Sequence, residues 1–423
     1  MRKNTVFLLC AIFIIALAVR IASYVVLVGG LSDGPIPKTD AVEYDLLARN
    51  IKSGIGFRYG PENPPTAFRP PLYPLFIASI YSVFGNNYTV LRMAQFVLSA
   101  FCCCIVWYLA CLLTENNRRV AFLAAMISIV YPSMFYHSGF FLTESLYIFL
   151  ILASCCALAR LQGHASLMNR LLSGIALALL CLVRPNAVFF VLFLSVWALL
   201  VFGNVKKAMG IYLSVIIVFL LALSPWMIRN YVHFKKLVPF SSNGGINLWG
   251  ANNPRILGGG LEKYEAWEGG IIYDVCYLPG SEDLEAEWGS KDFDQFEVDR
   301  RCRKLAFDYL RNNPQDIPRL LANKFKRFWS VEIRNNPWER AAFILFDQGM
   351  IPFAILGFFV SLRYRKPPHL LLFLLLSVQA SSLVFFANTR MRVGIAPSVV
   401  IYAAIGFGYI FNRMPNKRDK ITG

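Results

Sequence analysis

Three acidic residues lie where a merely structural membrane helix would not tolerate them. Asp40 and Glu43 follow the first long apolar run, and Glu144 stands among apolar residues in the stretch Phe140 to Tyr147. A carboxylate flanked by such sequence is costly unless it has a partner or a chemical task. Asp40 could instead cap the helix that follows it, and Thr143 with Glu144 could form another N-terminal cap. The residues alone leave both interpretations open.

Five arginines have the chemistry that binds phosphate. Arg184, Arg229, Arg390 and Arg392 fall at the outer ends of predicted helices, and Arg69 lies at the mouth of a short apolar run. A guanidinium presents a fork of donors suited to bidentate phosphate contact, whereas membrane topology disfavours basic residues on the outer side. The alternatives are a snorkelling Arg69 and anchoring of the other four to lipid headgroups. Because acids and arginines from separate segments converge on the outer interface, we expect an active site there that acts on a membrane-anchored substrate.

The composition places most of this chain in lipid. Of its 423 residues, 57% are hydrophobic and only 16% are charged, and its mean hydropathy is +0.50. Soluble domains have roughly 45–50% apolar and about 25% charged residues, so a soluble domain and a disordered chain are both excluded. The net charge of +17 would suggest nucleic acid in a soluble protein. Here it indicates cytoplasmic loops and contact with anionic lipid or phosphate, and we expect no nucleic-acid partner.

Apolar runs of about 20 residues, the length that spans a bilayer, predict the transmembrane helices. The first run, 5–28, contains one charge, Arg20, and no small-residue cleavage site follows it, so we expect a retained anchor. The stretch 167–203 is interrupted by Arg184-Pro185 and predicts either one long helix or a hairpin. The remaining runs lie at residues 88–112, 120–137, 140–159, 208–227, 342–361, 368–387 and 394–411.

The distribution of basic residues distinguishes the two topologies. With a hairpin the chain has about ten helices, and its cytoplasmic segments hold fifteen Lys and Arg residues against three in the short outer turns. Cytoplasmic loops carry an excess of Lys and Arg, so the hairpin is favoured and both termini are expected in the cytoplasm. We therefore predict an all-α polytopic membrane protein. Its parts are an N-terminal transmembrane module (1–227) with a long outer loop (29–87), a small extracytoplasmic cap (228–341), and C-terminal helices with a short cytoplasmic tail (342–423).

The outer loop 29–87 is predicted to contain two helices at the membrane surface. The apolar residues Tyr44, Leu47 and Ala48 form a helical stripe behind Asp40, which is typical of an amphipathic interfacial helix. The apolar run 75–84 is too short to span and is expected to lie along or dip into the outer leaflet.

The cysteines give little functional information. Most lie in predicted helices and are interpreted as packing residues. Cys276 and Cys302 share the outer segment 228–341 and could pair in an oxidising compartment. No Cys or His spacing indicates a zinc site.

The order of several short motifs resembles the GT-C glycosyltransferases. The most similar branch comprises the protein O-mannosyltransferases and aminoarabinose transferases, in which an Asp begins the first outer loop and a Lys/Arg-Pro-Pro-Leu segment follows. The matching motifs are Asp40-x-x-x-Tyr44, Ala48, Gly54, Arg69-Pro70-Pro71-Leu72-Tyr73-Pro74, Phe84-Gly85, Leu182-Val183-Arg184-Pro185, the run from Pro225 to Asn230, the run from Gly244 to Pro254, and Arg390-Met391-Arg392-Val393 before Pro397.

The resemblance implies a GT-C-like bundle that takes a sugar from a polyprenyl-phosphate carrier and inverts its anomeric carbon. It makes Asp40 the candidate general base on an acceptor hydroxyl of a lipid, glycan or protein. Glu144 and Glu43 are the other catalytic candidates, and Glu144 is expected to support acceptor orientation or metal binding. The candidates for binding the departing phosphate are Arg69, Arg184, Arg229, Arg390 and Arg392. The candidates for other substrate contacts are Tyr44, Tyr73, Asn247, Asn252 and Asn253.

The chain departs from the branch at two acidic positions. The common Asp-Glu doublet is Asp40-Ala41 here, with the Glu displaced to 43, and the acid that precedes the basic residue in the aminoarabinose enzymes is Phe68. The metal ligands are therefore unknown, although a divalent cation remains an option. Acceptor recognition is expected to fall to the outer segment 228–341.

Two other functions were compared with sugar transfer. A transporter or flippase of a lipid-linked saccharide predicts charged residues near the bilayer midplane and two related halves, which the sequence does not show. An O-antigen polymerase or ligase shares the outer arginines but leaves Asp40 and the Arg-Pro-Pro segment unexplained. The branch implies a bacterial inner or plasma membrane, with the active site on the extracytoplasmic face.

Overall fold

The computed structural model describes residues 3–28, 30–31, 40–257, 294–330, 337–364 and 369–413. Helices and their connections account for all of these residues, and no strand occurs among them. The predicted all-α class is therefore confirmed. In chain order the α-helices are α1 (Lys3–Val28), α2 (Asp40–Lys52), α3 (Leu72–Phe84), α4 (Tyr88–Leu113), α5 (Arg118–Val130), α6 (Pro132–Phe135), α7 (Glu144–Gly163), α8 (Leu167–Val183), α9 (Val188–Phe202), α10 (Val205–Phe234), α11 (Gly244–Ala251), α12 (Pro254–Leu257), α13 (Gln295–Asn312), α14 (Ile317–Trp329), α15 (Pro337–Ala342), α16 (Ile351–Ser361), α17 (His369–Val384) and α18 (Ala396–Arg413).

Several of these helices have the length and apolar composition of membrane spans. Within the described ranges seven pass that test, and the bent pair Arg118–Val130 and Pro132–Gly139 makes up to eight. Three shorter apolar helices are Leu72–Phe84, Leu167–Val183 and His369–Val384. Every predicted run coincides with one of these helices, and the chain is a multi-pass integral membrane protein. The short run 75–84, predicted to lie at the membrane surface, forms part of α3.

The chain reverses direction at Arg184. A Cβ atom on Gly174 of α8 would lie 2.6 Å from the Val218 side chain of α10, and the Tyr212 hydroxyl of α10 donates to the Val191 carbonyl of α9 at 3.3 Å. Gly174 and Val191 are seventeen positions apart, about 25 Å along a continuous helix, yet they contact α10 within about 9 Å of each other. α8 and α9 are therefore the two arms of a hairpin.

A sharp break separates α5 from α6. The two helical segments meet at an angle of 72° at Tyr131, whose backbone is extended. Pro132 begins the second segment, and a proline cannot continue the hydrogen-bond ladder of the first. The buried Arg20 donates to the carbonyls of Ile129 at 3.1 Å and Ser128 at 3.4 Å, so it satisfies acceptors that the break exposes.

Small residues allow two C-terminal helices to pack closely. A Cβ on Gly357 of α16 would lie 1.7 Å from the Tyr402 carbonyl oxygen of α18, and one on Gly406 would lie 2.2 Å from the Phe353 carbonyl oxygen. Such pairs of small residues let helix backbones approach in a membrane, where hydrophobic burial gives little drive for association.

The outer segment 228–341 packs against the first outer loop where both are described. α10 continues past residue 227 to Phe234. The Gln295 side-chain oxygen at the start of α13 accepts hydrogen bonds from the Thr66 hydroxyl, the Ala67 amide and the Ser242 hydroxyl, at 2.9–3.0 Å. Beside it lies a small apolar cluster of Phe68, Ile246, Trp249, Val298, Cys302 and Ala306. These contacts fix the segment that leads directly into Arg69.

Candidate active site

A cavity of about 500 Å³ lies where the ends of α2, α7, α8, α9 and α17 meet. One part of its lining is charged and contains Asp40, Arg69, Arg184 and Arg390. Its volume is in the range of small-molecule sites, as is the combination of apolar walls with a few polar groups. The rest of the lining includes the apolar residues Val183, Val188, Phe189, Phe240, Phe385, Phe386 and Met391 and the amides Asn186, Asn243, Asn247 and Asn388.

Asp40 is the first residue of α2 and is bound by two arginines. Its Oδ1 accepts from Arg69 Nη2 at 2.7 Å, and its Oδ2 accepts from Arg390 Nη1 at 3.3 Å. Burial by itself raises the pKa of this carboxyl. The positive charges of Arg69 and Arg390 together lower the pKa by more than burial raises it, so the pKa lies below its usual range. Asp40 therefore begins a helix and also presents an ionised carboxylate to the cavity.

Glu43 lies one helical turn further along α2 and orients Arg69. Arg69 donates from Nε to Glu43 Oε2 at 2.8 Å and from Nη2 to Glu43 Oε1 at 2.9 Å, a bidentate pair. The Tyr59 hydroxyl donates to the same carboxylate at 2.9 Å. Glu43 is not among the cavity-lining residues, so its contacts are those of a residue that positions Arg69.

Glu144 joins the other two arginines of the cavity. Its Oε1 accepts from Arg184 Nη2 at 2.6 Å and also from Arg390 Nε. Its side chain is only 2% exposed, and Oε2 has no hydrogen-bond partner within the described part of the chain. Thr143 makes no side-chain cap, because its hydroxyl accepts from Arg184 Nε at 2.8 Å instead. Thr143 and Glu144 thus bind Arg184 and Arg390 through their side chains, and the predicted side-chain cap of α7 by Thr143 does not form.

Local sequence explains why the three cavity arginines stand at helix ends. Pro70 and Pro71 follow Arg69, and Pro71 is the N-cap residue of α3, where a missing backbone amide costs nothing. Pro185 follows Arg184, which leaves α8 in an extended conformation with φ −140° and ψ 110°. Arg390 lies in a 3₁₀ segment, Thr389–Ile395, whose first turn is capped by the Asn388 side chain accepting from the Met391 amide at 3.0 Å.

Tyr44 and Tyr73 pack together, but only Tyr44 reaches the cavity. Their rings meet edge to face at 5.0 Å, and the Arg69 guanidinium lies over the Tyr44 ring at 5.5 Å. Burial raises the pKa of Tyr44 to about 12, so its hydroxyl stays protonated at neutral pH. Tyr73 is buried and donates to Gln95 Oε1 at 2.8 Å.

Arg229 lies outside the cavity lining. It donates to the carbonyls of Thr66 at 2.8 Å and Phe57 at 3.3 Å, and its guanidinium stacks over the Trp226 ring at 4.9 Å. It therefore braces the first outer loop from α10, and its predicted contact with phosphate has no geometric support here.

Arg392 points away from Arg390. In a 3₁₀ segment with about three residues per turn, residues two positions apart face different sides. Arg392 is 3% exposed and donates to Asp347 Oδ2 at 3.1 Å and to the Ser330 carbonyl at 2.8 Å. It too is absent from the cavity lining.

Of the three asparagines predicted to contact the substrate, one lines the cavity and two do not. Asn247 lines the cavity. The Asn253 side chain donates to the Trp249 carbonyl at 2.8 Å, within its own helical segment. Asn252 accepts from Lys324 Nζ at 2.8 Å, and the same ammonium donates to the Leu383 carbonyl at 2.8 Å at the end of α17.

Lys324 was not predicted from the sequence. It is buried among neutral acceptors beside Phe386, and burial lowers its pKa to about 8. Its neighbours Arg319 and Lys326 on α14 are basic as well, so the sequence carried no signal that singled it out. The amphipathic pattern of α14, in which Leu320, Lys324 and Phe328 share one face, is a weak indication in retrospect.

The described residues contain no cluster of metal-binding side chains. No group of three or more His, Cys, Asp or Glu side chains suited to a metal occurs in the described ranges. Both carboxylate oxygens of Asp40 bind a guanidinium group. In Glu144, Oε1 binds two guanidinium groups and Oε2 has no partner among the described residues.

Charges balance around the cavity in the described residues. Three carboxylates (Asp40, Glu43 and Glu144) are paired with three guanidinium groups (Arg69, Arg184 and Arg390). All six side chains are at most 25% exposed. Such a dry, pre-arranged set of charges is suited to stabilising an anion that gains charge during a reaction.

A family comparison matches the part of the chain that contains three of these charged residues. A sequence model of the family described as dolichyl-phosphate-mannose-protein mannosyltransferase matches residues 68–228, a stretch that contains Arg69, Glu144 and Arg184. No curated protein matches the chain at a significant level.

Solved structures show the fold. The oligosaccharyltransferase AglB from Archaeoglobus fulgidus, in complex with an inhibitory peptide and a dolichol-phosphate, aligns with a TM-score of 0.59 at 14% identity, over 100% of this chain and 52% of that chain. Its apo form gives 0.60 at 14% identity, over 99% and 52%. This chain thus spans about half the length of the archaeal protein. ArnT from Cupriavidus metallidurans bound to undecaprenyl phosphate gives a TM-score of 0.46 at 15% identity, over 97% of this chain and 79% of that chain.

The chain is a multi-pass membrane protein whose fold is similar to that of the archaeal oligosaccharyltransferase, so the fold that the resemblance implied is confirmed. Within that class, residues 68–228 are similar to the dolichyl-phosphate-mannose-protein mannosyltransferases.

Proposed function

We propose that this protein is a glycosyltransferase that moves a sugar from a polyprenyl-phosphate carrier to an acceptor hydroxyl. The observation that carries the proposal is the placement of Asp40 between Arg69 and Arg390 at the wall of the 500 Å³ cavity. A base for the acceptor and cations for the leaving phosphate thus lie within one hydrogen bond of each other. The matched family model names a dolichyl-phosphate sugar donor, and the archaeal neighbour was solved with a dolichol-phosphate.

The two kinds of cavity wall suit the two parts of such a donor. Arg69, Arg184 and Arg390 provide charge for the phosphate. Phe189 and Phe385, whose ring centroids lie 6.3 Å apart, offer an apolar wall for the first prenyl units. The amides Asn186 and Asn247 are placed to contact sugar hydroxyls.

In the proposed reaction the acceptor oxygen attacks the anomeric carbon from the side opposite the phosphate. The acceptor O–H bond breaks and its proton goes to the Asp40 carboxylate, while the bond from the anomeric carbon to the phosphate oxygen breaks. The sugar is transferred with inversion, and the carrier leaves as polyprenyl phosphate with one more negative charge.

Charge is conserved within the cavity during this step. Asp40 loses one negative charge and the phosphate gains one, so the total does not change. Arg69 and Arg390, which hold the Asp40 carboxylate in the free protein, are placed to transfer their hydrogen bonds to the phosphate as its charge grows. The arginine pair therefore serves the base and the leaving group in turn.

We place this reaction on the extracytoplasmic face. The support is the excess of Lys and Arg in the segments that connect the opposite ends of the helices, together with the positive-inside rule. Residues of the outer segment 228–341, including Asn243 and Asn247, line the cavity and are proposed to contribute to acceptor recognition.

The experiment is mass spectrometry of envelope glycolipids and glycoproteins from cells that lack the gene and are complemented with variants. The native gene and Asp45→Asn should restore the missing glycan, whereas Asp40→Asn should not, although both variants reach the membrane in normal amount. Asp45 is the matched control because it lies on the same helix but pairs with Arg49 and Tyr81, away from the cavity. Full restoration by Asp40→Asn would show that Asp40 is not the base. An unchanged glycan profile in the deletion strain would contradict glycosyl transfer itself.

A further inference from the structure

A second buried ion pair lies directly behind the cavity. Asp347 and Arg392 are paired at 3.1 Å, and each side chain is 3% exposed. Neither residue lines the cavity. Burying two charges in a membrane protein costs free energy, so a pair that does not meet the substrate calls for another task.

This pair connects four irregular segments of the chain. Asp347 ends a π-helical turn, Phe343–Asp347, and accepts hydrogen bonds from the hydroxyls of Tyr131 and Ser133, the latter at 2.9 Å. Those two residues flank Pro132 at the break between α5 and α6. Arg392 also donates to the Ser330 carbonyl at the end of α14. One carboxylate therefore holds a helix break, a π turn and the 3₁₀ segment Thr389–Ile395 together.

Of these segments, the 3₁₀ segment Thr389–Ile395 is the one that contributes a charged residue, Arg390, to the cavity. Arg390 lies two residues before Arg392 and is the residue that contacts both Asp40 and Glu144. A 3₁₀ segment has weaker hydrogen-bond geometry than an α-helix, so its side chains are precise only where the segment is held from outside. Gly394 lets neighbouring side chains pack closely against the same segment. A Cβ there would lie 3.0 Å from the Val378 side chain and 3.3 Å from the Tyr147 hydroxyl.

We propose that the Asp347–Arg392 pair is a positioning element of the donor-phosphate site, which fixes the segment Thr389–Ile395 so that Arg390 reaches Asp40 and Glu144. The inference rests on the proposed function, because it assigns Arg390 to the donor phosphate. Within the described part of the chain, Asp347, Tyr131 and Ser133 form no hydrogen bond or ion pair with the charged residues that line the cavity, so their effect must pass through the 3₁₀ segment.

The test is a double-mutant cycle read by the binding of undecaprenyl phosphate to the purified full-length protein in detergent. Asp347→Asn should weaken binding about tenfold in the native background, which corresponds to the loss of one charge-assisted contact. In an Arg390→Gln background the same substitution should have no further effect, because the residue that it positions is gone. An equal weakening in both backgrounds would overturn the inference, since Asp347 would then act independently of Arg390.

A milder pair of variants separates positioning from folding. Tyr131→Phe removes one hydroxyl from Asp347 and should weaken binding in the same direction by a smaller factor, again only when Arg390 is present. Cys103→Ala is the control: Cys103 accepts from Arg20 at 3.1 Å, and Arg20 supports the same helix break without contacting Thr389–Ile395. It should leave the affinity unchanged whatever it does to the thermal midpoint. If it weakens binding as much as Tyr131→Phe does, general loosening of the break explains the effect and the inference is wrong.

Failure of the underlying function gives a different pattern. If Arg69→Gln, Arg184→Gln and Arg390→Gln all leave the affinity for undecaprenyl phosphate unchanged, the cavity is not a phosphate site. If those variants weaken binding and Asp347→Asn does not, only the positioning role of Asp347 is lost.

Discussion

In the proposed reaction, the contacts of Asp40 would keep this base weak until the donor arrives. Two guanidinium groups bind its carboxylate, and together they lower its pKa despite burial. A carboxylate with a depressed pKa is a weak base. A donor phosphate that draws hydrogen bonds from Arg69 and Arg390 would raise the pKa of Asp40, so its base strength would increase only when the donor is bound.

The pH dependence of kcat/KM tests this arrangement. The pKa of Asp40 is lowered in the free protein, so its carboxylate is ionised above that value and activity is lost only as the pH falls through it. In the native protein the acid limb of the profile should therefore lie below the usual range of an Asp carboxyl, about 3.9. Arg390→Gln removes one of the two cations and should move this limb to higher pH by about one unit or more on the residual activity. Arg300→Gln, at an exposed pair with Glu297, should leave it in place, and an unmoved limb in Arg390→Gln would contradict the pairing.

For individual residues, the sequence predicted which residue types form the site better than it predicted which side chains point into the cavity. Asp40, Tyr44, Arg69, Arg184, Asn247 and Arg390 do line one cavity. Arg229 and Arg392 stand at similar helix ends, but one turns to backbone carbonyls and the other to Asp347. Sequence position fixes the depth of a side chain along a helix, whereas its direction depends on the helix ends and partners around it, which one sequence does not reveal. Asp347 lay in an apolar run and gave no sign of its buried partner.

Among the secondary-structure elements, the contact between α13 and the first outer loop determines where Arg69 stands. Gln295 accepts three hydrogen bonds from Thr66, Ala67 and Ser242 and is buried. Gly245 packs against the next turn of the same helix, where a Cβ would lie 2.0 Å from the Asp299 carbonyl oxygen. Neither contact is visible in the sequence, because Gln295 lies more than two hundred positions from Thr66 and Ala67, and Asp299 lies 54 positions from Gly245.

Substituting Gln295 with leucine tests this contact. Gln295→Leu keeps a similar volume but leaves three donors without their acceptor, which should lower the free energy of unfolding by about 1–3 kcal/mol. Because the Thr66–Ala67 segment leads into Arg69, the KM for the lipid-linked donor should also rise. Glu297→Gln on the exposed side of the same helix is the control and should change neither quantity. Thermal unfolding in detergent and donor kinetics measure the two effects, and a native-like KM in Gln295→Leu would show that the contact does not position Arg69.

In the whole molecule, the apolar pattern of the chain predicted the helices, because lipid requires long hydrogen-bonded apolar segments. That pattern left the hairpin at Arg184 open, and the distribution of Lys and Arg favoured it. The break at Tyr131-Pro132 was not predicted, although the proline was visible, because the run 120–137 is apolar throughout. The partner of each helix was not predictable either. The close packing of α16 and α18 depends on two glycines in different runs, and neither run alone identifies its partner.

Paired glycine substitutions test that packing. Gly357→Ala places a methyl group against the Tyr402 carbonyl and should destabilise the protein by about 1–3 kcal/mol, the usual cost of overpacking. Gly210→Ala is the matched control, since nothing lies within 4 Å of a Cβ there and alanine favours a helix. Its thermal midpoint in detergent should be unchanged or slightly raised. Equal midpoints for the two variants would contradict the close approach of α16 and α18.

Sugar transfer itself can be measured by following a polyprenyl-phosphate sugar incubated with the purified protein and an envelope extract as acceptor. Chromatography with mass spectrometry measures the rate at which free polyprenyl phosphate and the glycosylated product appear together. We predict that the native protein forms both in equal amounts, and that Asp40→Asn lowers this rate by about 10²–10⁴-fold, the usual contribution of a general base, while undecaprenyl phosphate still binds. Sugar transfer by Asp40→Asn at the native rate would contradict the proposed role of Asp40 as the general base.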